Sequence, residues 1–102
     1  MTNATMSKLA LRFATAPRFE LFQNVPNPVS GSTQISFQLP EASEATLTLR
    51  NAEGRVLKIL RGTYPQGFNS LTMNRNDLGA AGLLFYQLDT PTHSAVRKMV
   101  VE

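Results

Sequence analysis

From residue 19 onward the chain is written in short runs with a period of two. In Thr33 to Leu39, the residues Ile35, Phe37 and Leu39 fall on one side and Gln34, Ser36 and Gln38 on the other. Ala45 to Arg50 repeats the pattern, with Ala45, Leu47 and Leu49 opposed to Thr46, Thr48 and Arg50. Such alternation marks a half-buried strand, because successive side chains of an extended backbone point to opposite faces. Phe68 to Asn74 offers Leu71 and Met73 to one side, and Leu83 to Asp89 offers Leu84, Tyr86 and Leu88. Phe19 to Phe22 reads as a short first strand. Val56 to Arg61 is apolar on both faces, which predicts a central or covered strand. Ser94 to Val101 admits two registers, with either Val96 and Val100 or Met99 and Val101 facing the core.

Turn residues punctuate these runs at intervals of about 8–12, as in sandwiches and barrels. Asn51-Ala52-Glu53-Gly54 predicts a hairpin in which Gly54 takes the positive φ. Pro40 to Ser43, Pro65-Gln66-Gly67, Leu78 to Gly82 and Thr90-Pro91-Thr92 supply the other connections. No helical period competes. The expectation is an all-β fold, an immunoglobulin-like antiparallel β-sandwich of about seven strands. The Cys and Trp hallmarks of antibody domains are missing, since the chain has neither residue.

Composition narrows the function classes. The 102 residues carry a formal net charge of +3, with 42% hydrophobic and 17% charged residues. One domain of this size buries a single modest core. The cations are scattered along the strands, so a nucleic-acid partner is not expected, and no apolar run is long enough for a membrane-spanning helix. Residues 1–18 differ in holding Lys8, Arg12 and Arg18 and no acid. They read as a linker or cleavage-region tail before a domain at 19–102. Asn3-Ala4-Thr5 is formally a glycosylation sequon.

Catalytic chemistry finds little to use. There is no thiol, one histidine (His93, in a predicted turn) and seven acids lying mostly at turns and strand ends. Asn74, Asn76 and Asp77 loosely resemble a calcium loop, but the glycine and terminal glutamate of that loop are missing. The chain reads as a non-enzyme without a cofactor. The Asn24-Val25-Pro26-Asn27-Pro28 segment reads as a rigid corner, since two prolines each fix φ and hold their predecessors extended.

Taken together, several motifs resemble the type IX secretion system C-terminal sorting domain, type A, the Por secretion system family of Bacteroidota. They are Leu21 to Pro28, Thr33 to Pro40, Ala45 to Leu49, Gly54-Arg55-Val56, Leu78 to Leu88, and Arg97-Lys98-Met99-Val100-Val101. The resemblance covers about residues 19–102. It departs from the family at Val29, often an aromatic position, and at Arg50 and Asn51, often aromatic then acidic. It implies a module C-terminal to a cargo protein, carried through the periplasm and across the outer membrane to the cell surface or the medium. The implied partners are the outer-membrane translocon and a sortase that removes the domain. The implied recognition residues are Pro26, Asn27, Pro28, Gly54, Arg55, Val56, Gly82, Arg97, Lys98, Met99, Val100 and Val101.

Two other readings compete. One is a non-catalytic adhesion or carbohydrate-binding accessory sandwich, which needs two or three aromatics on one exposed face; Tyr64, Phe68, Phe85 and Tyr86 are the candidates. The other is the immunoglobulin-like module of flagellar hook-capping proteins, which shares the Gly-Arg and final Gly-Tyr style of pattern. For the sorting reading, a last strand at a sheet edge would offer unpaired backbone groups to a partner. Ser94 to Glu102 is therefore expected at an edge.

Overall fold

The computed structural model describes residues 17–102. The sequon at Asn3 and nearly all of the 1–18 tail lie outside the described residues. Seven strands form two antiparallel sheets packed face to face. They are β1 (Glu20–Leu21), β2 (Ser32–Leu39), β3 (Ser43–Asn51), β4 (Val56–Tyr64), β5 (Gly67–Asn74), β6 (Gly82–Asp89) and β7 (Ser94–Val101). One sheet has the order β1-β2-β5 and the other β4-β3-β6-β7. This is the immunoglobulin-like sandwich that the period-two pattern predicts.

The core is built by alternation. Ile35, Phe37 and Leu39 of β2 and Met73 of β5 face Leu47 and Leu49 of β3 and Leu84, Tyr86 and Leu88 of β6. The Phe37 ring meets Tyr64 edge-on, with centroids 5.2 Å apart and planes at 87°. Each such large side chain contributes about 1.5–3 kcal/mol by leaving water. Two loop residues, Val29 and Leu78, are fully buried and complete the core. The two registers open for the last strand resolve in favour of Met99 and Val101 inward, leaving Val96 and Val100 on the surface.

The hairpin glycine behaves as its position predicts. Gly54 has φ of 88°, and the Asn51 side-chain oxygen accepts the N–H groups of Glu53 and Arg55 at 3.0 and 2.9 Å. The Asn51 side chain acts here only as an acceptor, a role equally open to a carboxylate, while its backbone N–H donates to Arg55 C=O at 2.9 Å.

One expectation is corrected. The segment Val56 to Arg61 is neither central nor covered: it lies in β4, an edge strand that runs on to Tyr64. Its two-faced apolar character has a geometric cause. The β3–β4 register shifts so that Lys58 opposes Leu49 while Val56 opposes Arg50, leaving Leu57 as an extra residue. Such a bulge re-aims side chains. Leu57 packs against the core, while Val56 and Ile59 are left exposed.

A single 3-10 turn, Arg75–Asp77, follows β5. Its Asp77 carboxylate is 3.1 Å from the Lys58 ammonium of β4 and accepts the Asn74 N–H. These contacts, the Lys58 hydrogen bond foremost, hold the Asp77 carboxyl below its ordinary value of 3.8. A depressed carboxyl stabilises the fold above its unfolded value, and that contribution disappears as pH falls through 3.8 toward the folded value. Asp77→Asn should therefore flatten the acid limb: between about pH 5 and pH 3 its urea midpoint should fall less than that of the parent. Met99→Ala should cost about 2–5 kcal/mol by leaving a core cavity, whereas Val100→Ala, two-fifths exposed, should stay within about 0.5 kcal/mol. Urea unfolding checks both.

Candidate functional site

β7 is the outer strand of the four-stranded sheet, its ladder formed with β6. Its even-numbered residues turn their backbone N–H and C=O groups away from β6, toward the sheet edge. That edge is partly occupied by the chain itself. The segment from Phe19 to Val29 runs beside β7 in the same direction and meets it at successive points. Phe19 stacks on His93 with ring centroids 4.8 Å apart. The Arg97 Nε–H donates to the Leu21 carbonyl at 2.6 Å, and the Gln23 side-chain amide donates to the Lys98 carbonyl at 2.7 Å. The Asn27 side-chain oxygen accepts the Val100 N–H at 2.8 Å. Val29 N–H then donates to Val100 C=O at 2.8 Å, and Glu102 N–H to Val29 C=O at 2.9 Å, a parallel bridge between Val29 and Val101.

This strap is itself anchored in the core. The buried Tyr86 hydroxyl donates to Phe22 C=O at 2.7 Å and accepts Asn24 N–H at 2.9 Å. Asn24, also buried, donates through its side-chain amide to Pro26 C=O and to the Thr33 hydroxyl. Thr33 donates in turn to Pro26 C=O at 2.9 Å. Among the described residues every buried side-chain polar atom has a partner, as low-dielectric interiors require. Burial pushes the Tyr86 phenol above its ordinary value of 10.0. The Val25-Pro26 and Asn27-Pro28 peptide bonds are both cis.

The structure thus joins two motifs that are more than 70 residues apart in the chain. Within Pro26-Asn27-Pro28 the Asn27 side chain is bonded to the end of β7, and Gly82 pairs with Val101 across β6 and β7. Lys98 and Val100 face solvent, while Met99 and Val101 are core residues and Arg97 reaches back to β1. Gly54, Arg55 and Val56 stand apart. They lead into β4 at the opposite edge of the same sheet, three strand spacings or about 14 Å from β7. The residues 94–102 are at an edge as expected, but the edge is open only in part. From Lys98 C=O onward the outward groups are taken by Gln23, Asn27 and Val29, whereas the outward N–H and C=O of Val96 and the N–H of Lys98 have no partner among the described residues.

Motif reading missed Gln23, Asn24, Thr33 and Tyr86 as the residues that hold the strap. The available signal was a tyrosine at an inward position of β6, because a buried phenol needs hydrogen-bond partners. Val29, where the resemblance leads to the expectation of an aromatic, is fully buried.

The remaining candidates separate. His93 is exposed in the β6–β7 turn, with Nδ1 2.9 Å from the Thr92 hydroxyl. Among the described residues no three histidine or carboxylate side chains converge as a metal site, and no helix is long and apolar enough to cross a membrane. The four aromatics considered for a sugar platform do not share a face. Tyr86 is buried and Tyr64 packs on Phe37, while Phe68, 65% exposed, lies on β5 in the opposite sheet from Phe85 of β6.

A family model described as a secretion system C-terminal sorting domain matches residues 25–102. Every implied recognition residue, from Pro26 to Val101, falls inside that span. No curated protein matches the chain.

Two substitutions test the strap. Tyr86→Phe keeps the ring but strands Phe22 C=O and Asn24 N–H, and should cost about 1–3 kcal/mol in urea unfolding. Asn27→Ala should leave global stability within about 1 kcal/mol, since water can reach the site. It should nevertheless speed hydrogen exchange at the Val100 amide, read by NMR, with little change at Met99.

Proposed function

Because the chain belongs to the family of secretion system C-terminal sorting domains, whose members are type IX sorting signals, we propose that it carries an attached cargo from the periplasm across the outer membrane. In this reading it works without catalysis: it is bound by the translocon, and a surface sortase then removes it. The destination of the cargo is the cell surface or the medium.

The observation that carries the reading is the meeting of the Pro26-Asn27-Pro28 and Lys98-Met99-Val100 motifs on one sheet edge. A signal of this kind must be read as surface, and these motifs make a single surface only after folding. The pleat of β7 divides the labour: Met99 and Val101 anchor the strand, while Val96, Lys98 and Val100 are displayed.

Truncating Lys98 to Glu102 would remove two core side chains together with the displayed ones, so point variants give a cleaner test. A reporter fused ahead of the full 102-residue chain should be exported by cells carrying a type IX system, and the unfused reporter should not. The double variant Val96→Asp and Lys98→Glu should melt within a few degrees of the parent yet lose most export. Retention of the parental fusion inside the cell would refute the sorting role. Full export of the double variant would move the recognition surface elsewhere.

A further inference from the structure

The outward face of the four-stranded sheet beside β7 has an uneven charge. Strand register places Arg50, Phe85 and Lys98 side by side across β3, β6 and β7. Exposed Leu83, Val96 and Val100 flank them, Val96 being 58% open to solvent. Neither cation is in an ion pair: the one ion pair among the described residues joins Lys58 to Asp77, while Arg50 donates to the Gln87 side chain, which in turn donates to the Asp89 carboxylate farther along β6. Next to this face, the Val96 N–H and C=O and the Lys98 N–H point outward. A shallow groove of about 420 Å³ lies there, lined by Gln23, Phe85, Val96, Arg97 and Lys98.

We propose that this open half of the edge receives an extended, carboxylate-bearing peptide segment of a partner protein. The segment pairs its backbone with Val96 and Lys98 and lays acidic side chains against the Lys98 ammonium. The proposal rests on the sorting reading and adds the chemistry of the partner. Free N–H and C=O groups in alternation are complemented by another extended backbone, which a lipid headgroup does not supply. Arg50, two strand spacings or about 10 Å inward, adds to the same positive field. The strap sets the length: with Gln23, Asn27 and Val29 filling the edge from Lys98 C=O onward, the segment has about five residues, Ser94 to Lys98, to pair with.

Charge also separates the possible occupants. Residues 1–16 contain Lys8 and Arg12 and no acid, the wrong sign to cover this face. A second copy would set the same cations against each other. A carboxylate-bearing partner relieves both conflicts.

The test uses the full chain, isotopically labelled for NMR, and two blocked seven-residue peptides. One alternates Val with Asp and the other Val with Asn. The Val–Asp peptide should shift the Val96 and Lys98 amides and slow their exchange, and should bind about three- to tenfold more tightly than its Asn counterpart. Added salt should shrink that difference, and Lys98→Glu should reverse it. Equal binding of the two peptides, or shifts confined to other strands, would overturn the proposal. So would phosphatidylglycerol vesicles that perturb Val96 and Lys98 when the Val–Asp peptide does not. The two levels fail separately. Reporter export without acidic-peptide binding removes this partner chemistry and leaves the sorting role, and the converse result removes the sorting role.

Discussion

Strand pleating commits each residue of β7 to either core or surface, and the rest of the molecule is arranged around that division. Met99 and Val101 are buried between the sheets, so the strand cannot peel away without opening a cavity. The alternate residues Val96, Lys98 and Val100 are left in solvent by the same geometry. Because β7 is an edge strand, its display includes backbone as well as side chains. An edge of this kind invites pairing with other chains, and the strap formed by residues 19–29 limits where that pairing can occur.

The strap explains why a buried polar cluster sits in a small core. Asn24, Thr33 and Tyr86 would each be costly to bury alone. Together they satisfy one another and fix the path of the backbone before Pro26. That path delivers the Asn27 side chain and the Val29 backbone to the last residues of β7. Core hydrogen bonding and the exposed sheet edge are therefore linked: a change at Tyr86, which is fully buried, alters the support of a segment that meets solvent.

Much of the fold was legible because strand alternation is local. The inward sets Ile35, Phe37, Leu39 and Leu84, Tyr86, Leu88 follow directly from period two. β4 escaped the same logic because a bulge at Leu57 breaks the period, and a bulge depends on the partner strand's register rather than on its own residues. The register of β7 also stayed open, since Val96, Val100, Met99 and Val101 are all apolar and only the packed core tells them apart. The family-like motifs were visible as residues, but their grouping was not.

By itself, the sequence determined the all-β class, most of the inward-facing residues, the Gly54 turn and the family resemblance, all of which depend on neighbours within a few positions or on motif order. Tertiary structure alone decided that the Asn27 segment and the displayed Lys98 and Val100 share one sheet edge while Gly54 to Val56 stand at the far edge. The reason is the range of the bonds involved. Gln23 reaches Lys98 across 75 positions and Asn27 reaches Val100 across 73, and such contacts exist only once two sheets have closed on a common core.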